Sequence, residues 1–386
     1  MTDPIRIALL GCTGSIGRST LEVVRRHPER FRIVAMSANR RVDALADLVA
    51  EFAPSHVAVA DEKVPLPTGA NGWARGAEAV ADLARLDEAD VVVNAVIGAA
   101  GLMPTLAALE EGKRVALANK ESLVAGGSLV LDVAERTGGE VVPIDSEHSA
   151  ILQCLAGCDR TTVRRIVLTA SGGPFRGRSV DELVDVRPSE ALRHPTWDMG
   201  AKITIDSATL GNKALEVIEA HVLYGIDYDR IDAVVHPQSI VHSFVEFVDG
   251  SLLAQVGDPT MELPIMYALT WPERVEDTRL QGWDPVASSP LTFEAIDHAA
   301  FPMFGVGVDA GRRGGVATAA FNAANEVAVA AYLDERIRFP DMADVVADAI
   351  MAVGSGVPTT IDDVMRADDE ARSVAAEAIT NIEKQR

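Results

Sequence analysis

The chain has 386 residues, 48% of them hydrophobic, and a formal net charge of −22. That length exceeds one ordinary core and predicts two or three domains, while the apolar fraction excludes a disordered chain. The acidity argues against a general nucleic-acid or anionic-membrane surface, but leaves room for small anions held by clustered cations.

The apolar run 5–10 predicts a buried parallel strand. Gly11, Gly14 and Gly17 follow at once with the spacing G-x-x-G-x-x-G. A helix over 19–26, closed by His27-Pro28, and a second strand over 31–36 come next. Strand, glycine loop, helix and strand in this order make a dinucleotide-binding βαβ unit, with a pyrophosphate lying on the helix N-terminus. Thr13, Gly14, Ser15 and Ile16 are therefore candidate cofactor contacts. After the second strand an NAD enzyme usually places an acid for the ribose hydroxyl. Here stand Ala38, Asn39, Arg40 and Arg41. Two guanidinium groups beside an amide suit a 2′-phosphate, which favours NADPH.

Further strands are expected over 56–60, 89–95, 114–118 and 140–144, with helical stretches between them. The alternation predicts an α/β fold with an N-terminal Rossmann-like, doubly wound parallel sheet. Gly98-Ala99-Ala100-Gly101, Asn119-Lys120-Glu121 and Asp145-Ser146-Glu147 each follow a strand and should line its ligand-binding rim. In an extended backbone Asp145 and Glu147 point to one side. Both can then reach one hard divalent cation such as Mg²⁺ or Mn²⁺.

Beyond residue 148 the pattern becomes α+β. A strand over 165–170 leads into Ser171-Gly172-Gly173-Pro174-Phe175, which reads as an anion-binding loop or a plain turn. The loop from His194 through Trp197 and Met199 to Gly200 suits a water-excluding lid or a buried anchor. On a helix, Asn212 and Glu216 share a face with Lys213 beside them. They offer a third carboxylate next to two phosphate-suited groups. Asp249-Gly250 between apolar runs signals a tight hairpin. His236 and His242 read as core or interface histidines. The stretch 271–300 reads as a long connection, and 316–336, 342–353 and 360–384 as amphipathic helices. The expected domains are 1–148 for the cofactor, 149–275 for catalysis and dimerisation, a linker over 276–312 and a helical bundle over 313–386. Three cysteines form no disulfide framework in such a chain. With no targeting segment visible, a cytoplasmic location is expected.

The string G-x-T-G-S-I-G (11–17), N-K-E (119–121), D-S-E-H (145–148), S-G-G-P-F (171–175), H-P-T-W-x-M-G (194–200), S-A-T-L-x-N-K-x-L-E (207–216), H-P-Q-S (236–239) and N-A-A-N-E (322–326) closely resembles the 1-deoxy-D-xylulose 5-phosphate reductoisomerase family. The resemblance implies a rearrangement of that sugar phosphate, then reduction by NADPH to 2-C-methyl-D-erythritol 4-phosphate, for isoprenoid precursors. It implies metal ligands at Asp145, Glu147 and Glu216, with Mg²⁺, Mn²⁺ or Co²⁺ as the ion. Phosphate contacts fall on Ser171, Ser207, Asn212 and Lys213. Ser146 and Lys120 match positions at the substrate's hydroxyls and carbonyl. His194, Trp197 and Met199 match the lid, and His148 a pocket histidine. Lys120, Asp145, Glu147 and Glu216 are thus the candidate catalytic set. Ala99, Asn119, Glu121 and Gly200 join the glycine loop and residues 38–41 as candidate cofactor contacts. A homodimer without nucleic-acid or membrane partners is implied. Cys12 departs from a common serine, which predicts an oxidisable loop. The competing reading is another NADPH-dependent dehydrogenase of the homoserine or semialdehyde type, which needs no three-carboxylate metal site beside a phosphate cluster.

Overall fold

In the computed structural model, which describes residues 3–280 and 282–385, the apolar runs of the N-terminal part become six strands of a sheet that a two-residue strand extends to seven. These are β1 (Ile5–Leu10), β2 (Phe31–Ala38), β3 (His56–Val59), β4 (Ala74–Arg75), β5 (Val91–Asn94), β6 (Arg114–Leu117) and β7 (Glu140–Pro143). All pair in parallel, in the order β4-β3-β2-β1-β5-β6-β7. Ile7, Leu9, Val92 and Val115 are fully or almost fully buried, as expected where helices cover both faces of a parallel sheet. Strand order reverses at β1, which lies between β2 and β5, so their carboxyl ends flank the switch point where such sheets hold ligands.

This sheet belongs to the first of two units, which comprises residues 3–122, 130–149 and 260–280. The last of these segments carries the Glu262–Thr270 helix, which packs on the Ser15–Arg26 helix. Arg26 joins them through ion pairs of 2.7 Å to Glu262 and 2.7 Å to Asp277.

The second unit comprises residues 123–129, 150–259 and 282–385. Its sheet has the order β11-β10-β8-β9, from β8 (Val163–Ala170), β9 (Ile231–Val235), β10 (Val241–Phe247) and β11 (Leu252–Val256). β8 and β9 are parallel and the other pairs antiparallel. Gly250 turns the β10–β11 hairpin at φ 88°, as Asp249-Gly250 predicts. The Gly211–Tyr224 helix packs on β8 and β9 and on the Pro302–Arg313 helix. Helices Ala317–Leu333, Asp341–Val353 and Ile361–Gln385 pack on one another around Phe321, Tyr332, Val346 and Ala371. The Pro302–Arg313 helix lies where the sequence predicts connection. Its glycines explain the difference. A Cβ on Gly307 would stand 2.5 Å from Phe321 and 2.6 Å from Ala214, so glycine here permits close helix packing and does not mark a break. No helix among the described residues is long and apolar enough to cross a membrane.

Candidate active site

In the first unit the carboxyl ends of the strands form one rim. Gly11 leaves β1 at φ 83°, and a Cβ there would stand 2.5 Å from the Ala95 carbonyl oxygen. One on Gly17 would stand 2.5 Å from the Gly11 oxygen. The amides of Gly11 and Cys12 donate to the Ser37 carbonyl at 3.0 and 2.9 Å. The Ser15–Arg26 helix begins after Gly14 without a side-chain cap, so Thr13 to Ile16 surround helix-terminal amides of the kind that bind anions. Arg41 Nη1 donates to the Thr13 carbonyl at 3.3 Å. Arg40 reaches outward to Asp61 at 2.7 Å, next to Ala38 and Asn39 at the end of β2. Cys12 is fully buried, and burial pushes its thiol up to about 12. It is therefore a neutral, shielded thiol, a setting that disfavours oxidation.

Ala99 is half-buried in the turn after β5. The Asn119 amide lies 2.8 Å from the Val96 carbonyl, 2.9 Å from that of Gly98 and 3.1 Å from Glu121 Oε2. Its oxygen accepts from Ser122 N at 3.0 Å. The Asn119 side chain thus braces the rim loops, and Glu121 is buried with it.

Lys120 follows β6 and Asp145 follows β7, and these strands are neighbours. Their side chains form a buried ion pair. Burial alone would raise the Asp145 carboxyl. The Lys120 ammonium, with help from His148, overrides it and holds the group well below the usual carboxylate range. The expected extended backbone at 145–147 is not present. Ser149 N donates to the Asp145 carbonyl at 2.8 Å, and Ser146–Leu155 is helical. Ser146 and Glu147 fill its first turn, where unpaired amides favour acids. Ser146 Oγ donates to Glu147 Oε2 at 2.5 Å. His148 is fully buried.

In the second unit three distant motifs come together. Gly173 holds φ 65°, and a Cβ on it would stand 2.7 Å from the Ser207 carbonyl oxygen. Glycine therefore lets the loop after β8 lie directly on the end of the Ala201–Ala208 helix. His194 Nδ1 accepts from the amides of Thr196 at 3.1 Å and Trp197 at 2.9 Å. The proton of the neutral ring must then sit on Nε2, 2.9 Å from Ser171 Oγ. Burial lowers this imidazole to about 4, which keeps it neutral. Ser171 Oγ also accepts from Gly173 N at 3.2 Å. With both acceptor positions filled, the Ser171 hydroxyl proton is available to an anion. Trp197 and Met199 are half-buried and Gly200 is exposed in the same loop. Ser207 precedes Leu210, whose φ of 59° is left-handed and costs a residue with a Cβ about 1 kcal/mol. The Gly211–Tyr224 helix starts there. Asn212 and Lys213 both donate to Glu216, which is 1% exposed.

Family models described as 1-deoxy-D-xylulose 5-phosphate reductoisomerase, its C-terminal domain and DXP reductoisomerase C-terminal domain match residues 7–127, 141–224 and 256–374. The 1-deoxy-D-xylulose 5-phosphate reductoisomerase of Rhodococcus jostii (strain RHA1) is 50% identical over 379 residues, covering 97% of this chain and 94% of the relative. The chain belongs to the 1-deoxy-D-xylulose 5-phosphate reductoisomerase family. The reductoisomerase of Chlorobaculum tepidum is 49% identical, covering 97% of this chain and 99% of its own. Among solved reductoisomerase structures, that from Zymomonas mobilis in complex with NADPH superposes with a TM-score of 0.90 at 43% identity, covering 97% and 99% of the two chains. A reductoisomerase in complex with NADPH, fosmidomycin and magnesium gives 0.91 at 38% identity, covering 98% and 99%.

Sequence reasoning passed over three residues of this reductoisomerase-family chain. Asp206 is 1% exposed beside Ser207, and Glu219 is fully buried one turn beyond Glu216. Acids inside otherwise apolar helical stretches were the available signal. Ile97 stands 69% exposed on the rim after β5, and no sequence pattern marks it.

Proposed function

We propose that this chain converts 1-deoxy-D-xylulose 5-phosphate to 2-C-methyl-D-erythritol 4-phosphate with NADPH and a divalent cation, for isoprenoid precursor synthesis. Family membership along nearly the whole chain supports the reading. The observation that carries it is the grouping of Ser171, His194 and Ser207 beside the N-terminus of the helix bearing Asn212 and Lys213. Two hydroxyls, an amide, an ammonium and helix-terminal amides make a phosphate cradle.

Asp145, Glu147 and Glu216 are the ligands we assign to the metal. Their all-oxygen character fits Mg²⁺, Mn²⁺ or Co²⁺, and the adjacent Lys120 favours the ionised form of Asp145. When bound, such an ion polarises the substrate's ketone and orients its hydroxyl. NADPH, on Thr13 to Ile16 and residues 38–41, supplies the hydride. Ala99, Asn119, Glu121 and Gly200 complete the proposed cofactor surroundings. Lys120 places positive charge near the oxygen that becomes anionic as the carbon skeleton rearranges. Ser146 and His148 contact the substrate's polar groups. Ser171, Ser207, Asn212 and Lys213 hold the phosphate, remote from the reacting carbons, so its binding energy orients the chain. His194, Trp197 and Met199 close over it and exclude water.

We also read the protein as a cytoplasmic homodimer. Leu252 and Leu253 on the β11 edge are 52% and 45% exposed, and Val248 is 57% exposed, a surface suited to a second copy. Light scattering giving a monomer at micromolar concentration would remove that reading. The reaction is tested by mixing purified protein with the sugar phosphate, NADPH and Mn²⁺. Loss of nicotinamide absorbance is expected only when all three are present. No substrate-dependent loss would reject the assignment.

A further inference from the structure

The segment Asn322-Ala323-Ala324-Asn325-Glu326 has no part in the chemistry above, yet both asparagines are fully buried on the Ala317–Leu333 helix. Asn325 Nδ2 donates to Asp206 Oδ1 at 2.7 Å, across 119 residues of chain. Asp206 lies on the Ala201–Ala208 helix, which starts directly after the His194–Gly200 loop. Its other oxygen pairs with Lys202 Nζ at 3.0 Å. Its carbonyl accepts from Thr209 Oγ1 at 3.1 Å, and Thr209 Oγ1 accepts from Gly211 N at 3.1 Å. Gly211 itself lies near Asn325: a Cβ on it would stand 3.8 Å from Asn325 Oδ1, with no hydrogen bond between them. A series of hydrogen bonds from Asn325 through Asp206 and Thr209 to Gly211 thus runs along the turn that holds Ser207 and the left-handed Leu210.

We infer that Asn325 and Asp206 are positioning residues for the substrate phosphate. They fix the turn that sets Ser207 against Asn212, and through Lys202 they tie the end of the lid loop to that turn. The inference rests on the phosphate role proposed for Ser207, Asn212 and Lys213. Two physical arguments carry it. A buried pair kept only for stability is replaceable by apolar side chains, often at no loss, whereas a carboxylate held on both oxygens specifies direction. A left-handed leucine also persists only where its surroundings over-determine it, and this series of hydrogen bonds supplies that constraint. Positional error of about 1 Å in such a group costs on the order of 100-fold in rate.

The test is steady-state kinetics on the full chain with the sugar phosphate, NADPH and Mg²⁺. Asn325→Ala is expected to raise KM for the sugar phosphate about tenfold, part of the loss that a 1 Å displacement causes. Its KM for NADPH should stay near the wild-type value. Asn325→Asp sets two carboxylates together and should raise the sugar phosphate KM further. Exchanging the pair, Asn325→Asp with Asp206→Asn, restores one hydrogen bond of reversed polarity. It should recover most of the loss seen in Asn325→Asp alone. An unmoved sugar phosphate KM, an equal rise for NADPH, or no recovery in the exchanged pair overturns the inference. Absence of wild-type turnover instead overturns the proposed reaction, and this inference with it, so the two failures are distinguishable.

Discussion

Gly173→Ala tests the phosphate loop most directly. The residue holds φ 65°, where alanine costs about 1 kcal/mol. The added Cβ would also meet the Ser207 carbonyl oxygen at 2.7 Å, against 3.4 Å for the start of ordinary contact. Relief requires a shift of about 0.7 Å between the Ser171–Gly173 loop and Ser207, and overlap of this kind costs about 1–3 kcal/mol. Gly177 provides the control. It holds φ 81° with nothing within 4 Å of its Cβ position. Gly177→Ala should therefore lose about 1 kcal/mol and leave kinetics intact. Gly173→Ala should lose about 2–4 kcal/mol in urea melts and about 10- to 100-fold in kcat/KM for the sugar phosphate, mostly through KM. Equal kinetic loss in both variants, or none in Gly173→Ala, would refute the claim that this contact shapes the cradle.

Lys213→Met leaves Glu216 buried without its ammonium and should destabilise by about 3–5 kcal/mol; adding Glu216→Gln should restore much of it, and a melt of the single variant shifted by less than about 1 kcal/mol contradicts the pairing. His194 should titrate near 4 by imidazole NMR, with its proton on Nε2. Because the folded value lies below the ordinary 6.5, its contribution to stability is full above pH 6.5 and declines as pH falls toward 4; a measured value at or above 6.5 overturns the buried neutral ring described here. Arg40→Ala with Arg41→Ala should narrow the preference for NADPH over NADH at least tenfold, since charged hydrogen bonds contribute about 1.5–3 kcal/mol, and an unchanged ratio excludes a 2′-phosphate role.

The glycine loop, the parallel sheet and the hairpin at Asp249-Gly250 were legible because each is a local signal followed by the element it requires. The two-residue strand Ala74–Arg75 was not, since two residues have no period. The Pro302–Arg313 helix was hidden by Gly305, Gly307 and Gly311, which propensity treats as breakers, whereas packing uses Gly307 and Gly311 as contact points. Asp145 and Glu147 were legible as an acidic pair, but their backbone was misjudged because a carboxylate next to helix-terminal amides favours the turn over the strand. The Lys120–Asp145 pair depends on which strands are neighbours, a property of topology that no spacing of 25 residues reveals. The Asn325–Asp206 bond is hidden for the same reason at longer range.

The Lys120 ammonium keeps Asp145 deprotonated far into acid solution. A divalent ion bound as proposed would displace an ammonium from this group, and no proton. Calorimetric titration with Mg²⁺ in buffers of contrasting ionisation heat should show no proton released from Asp145, and the lysine acts as an internal placeholder for the ion at that carboxylate.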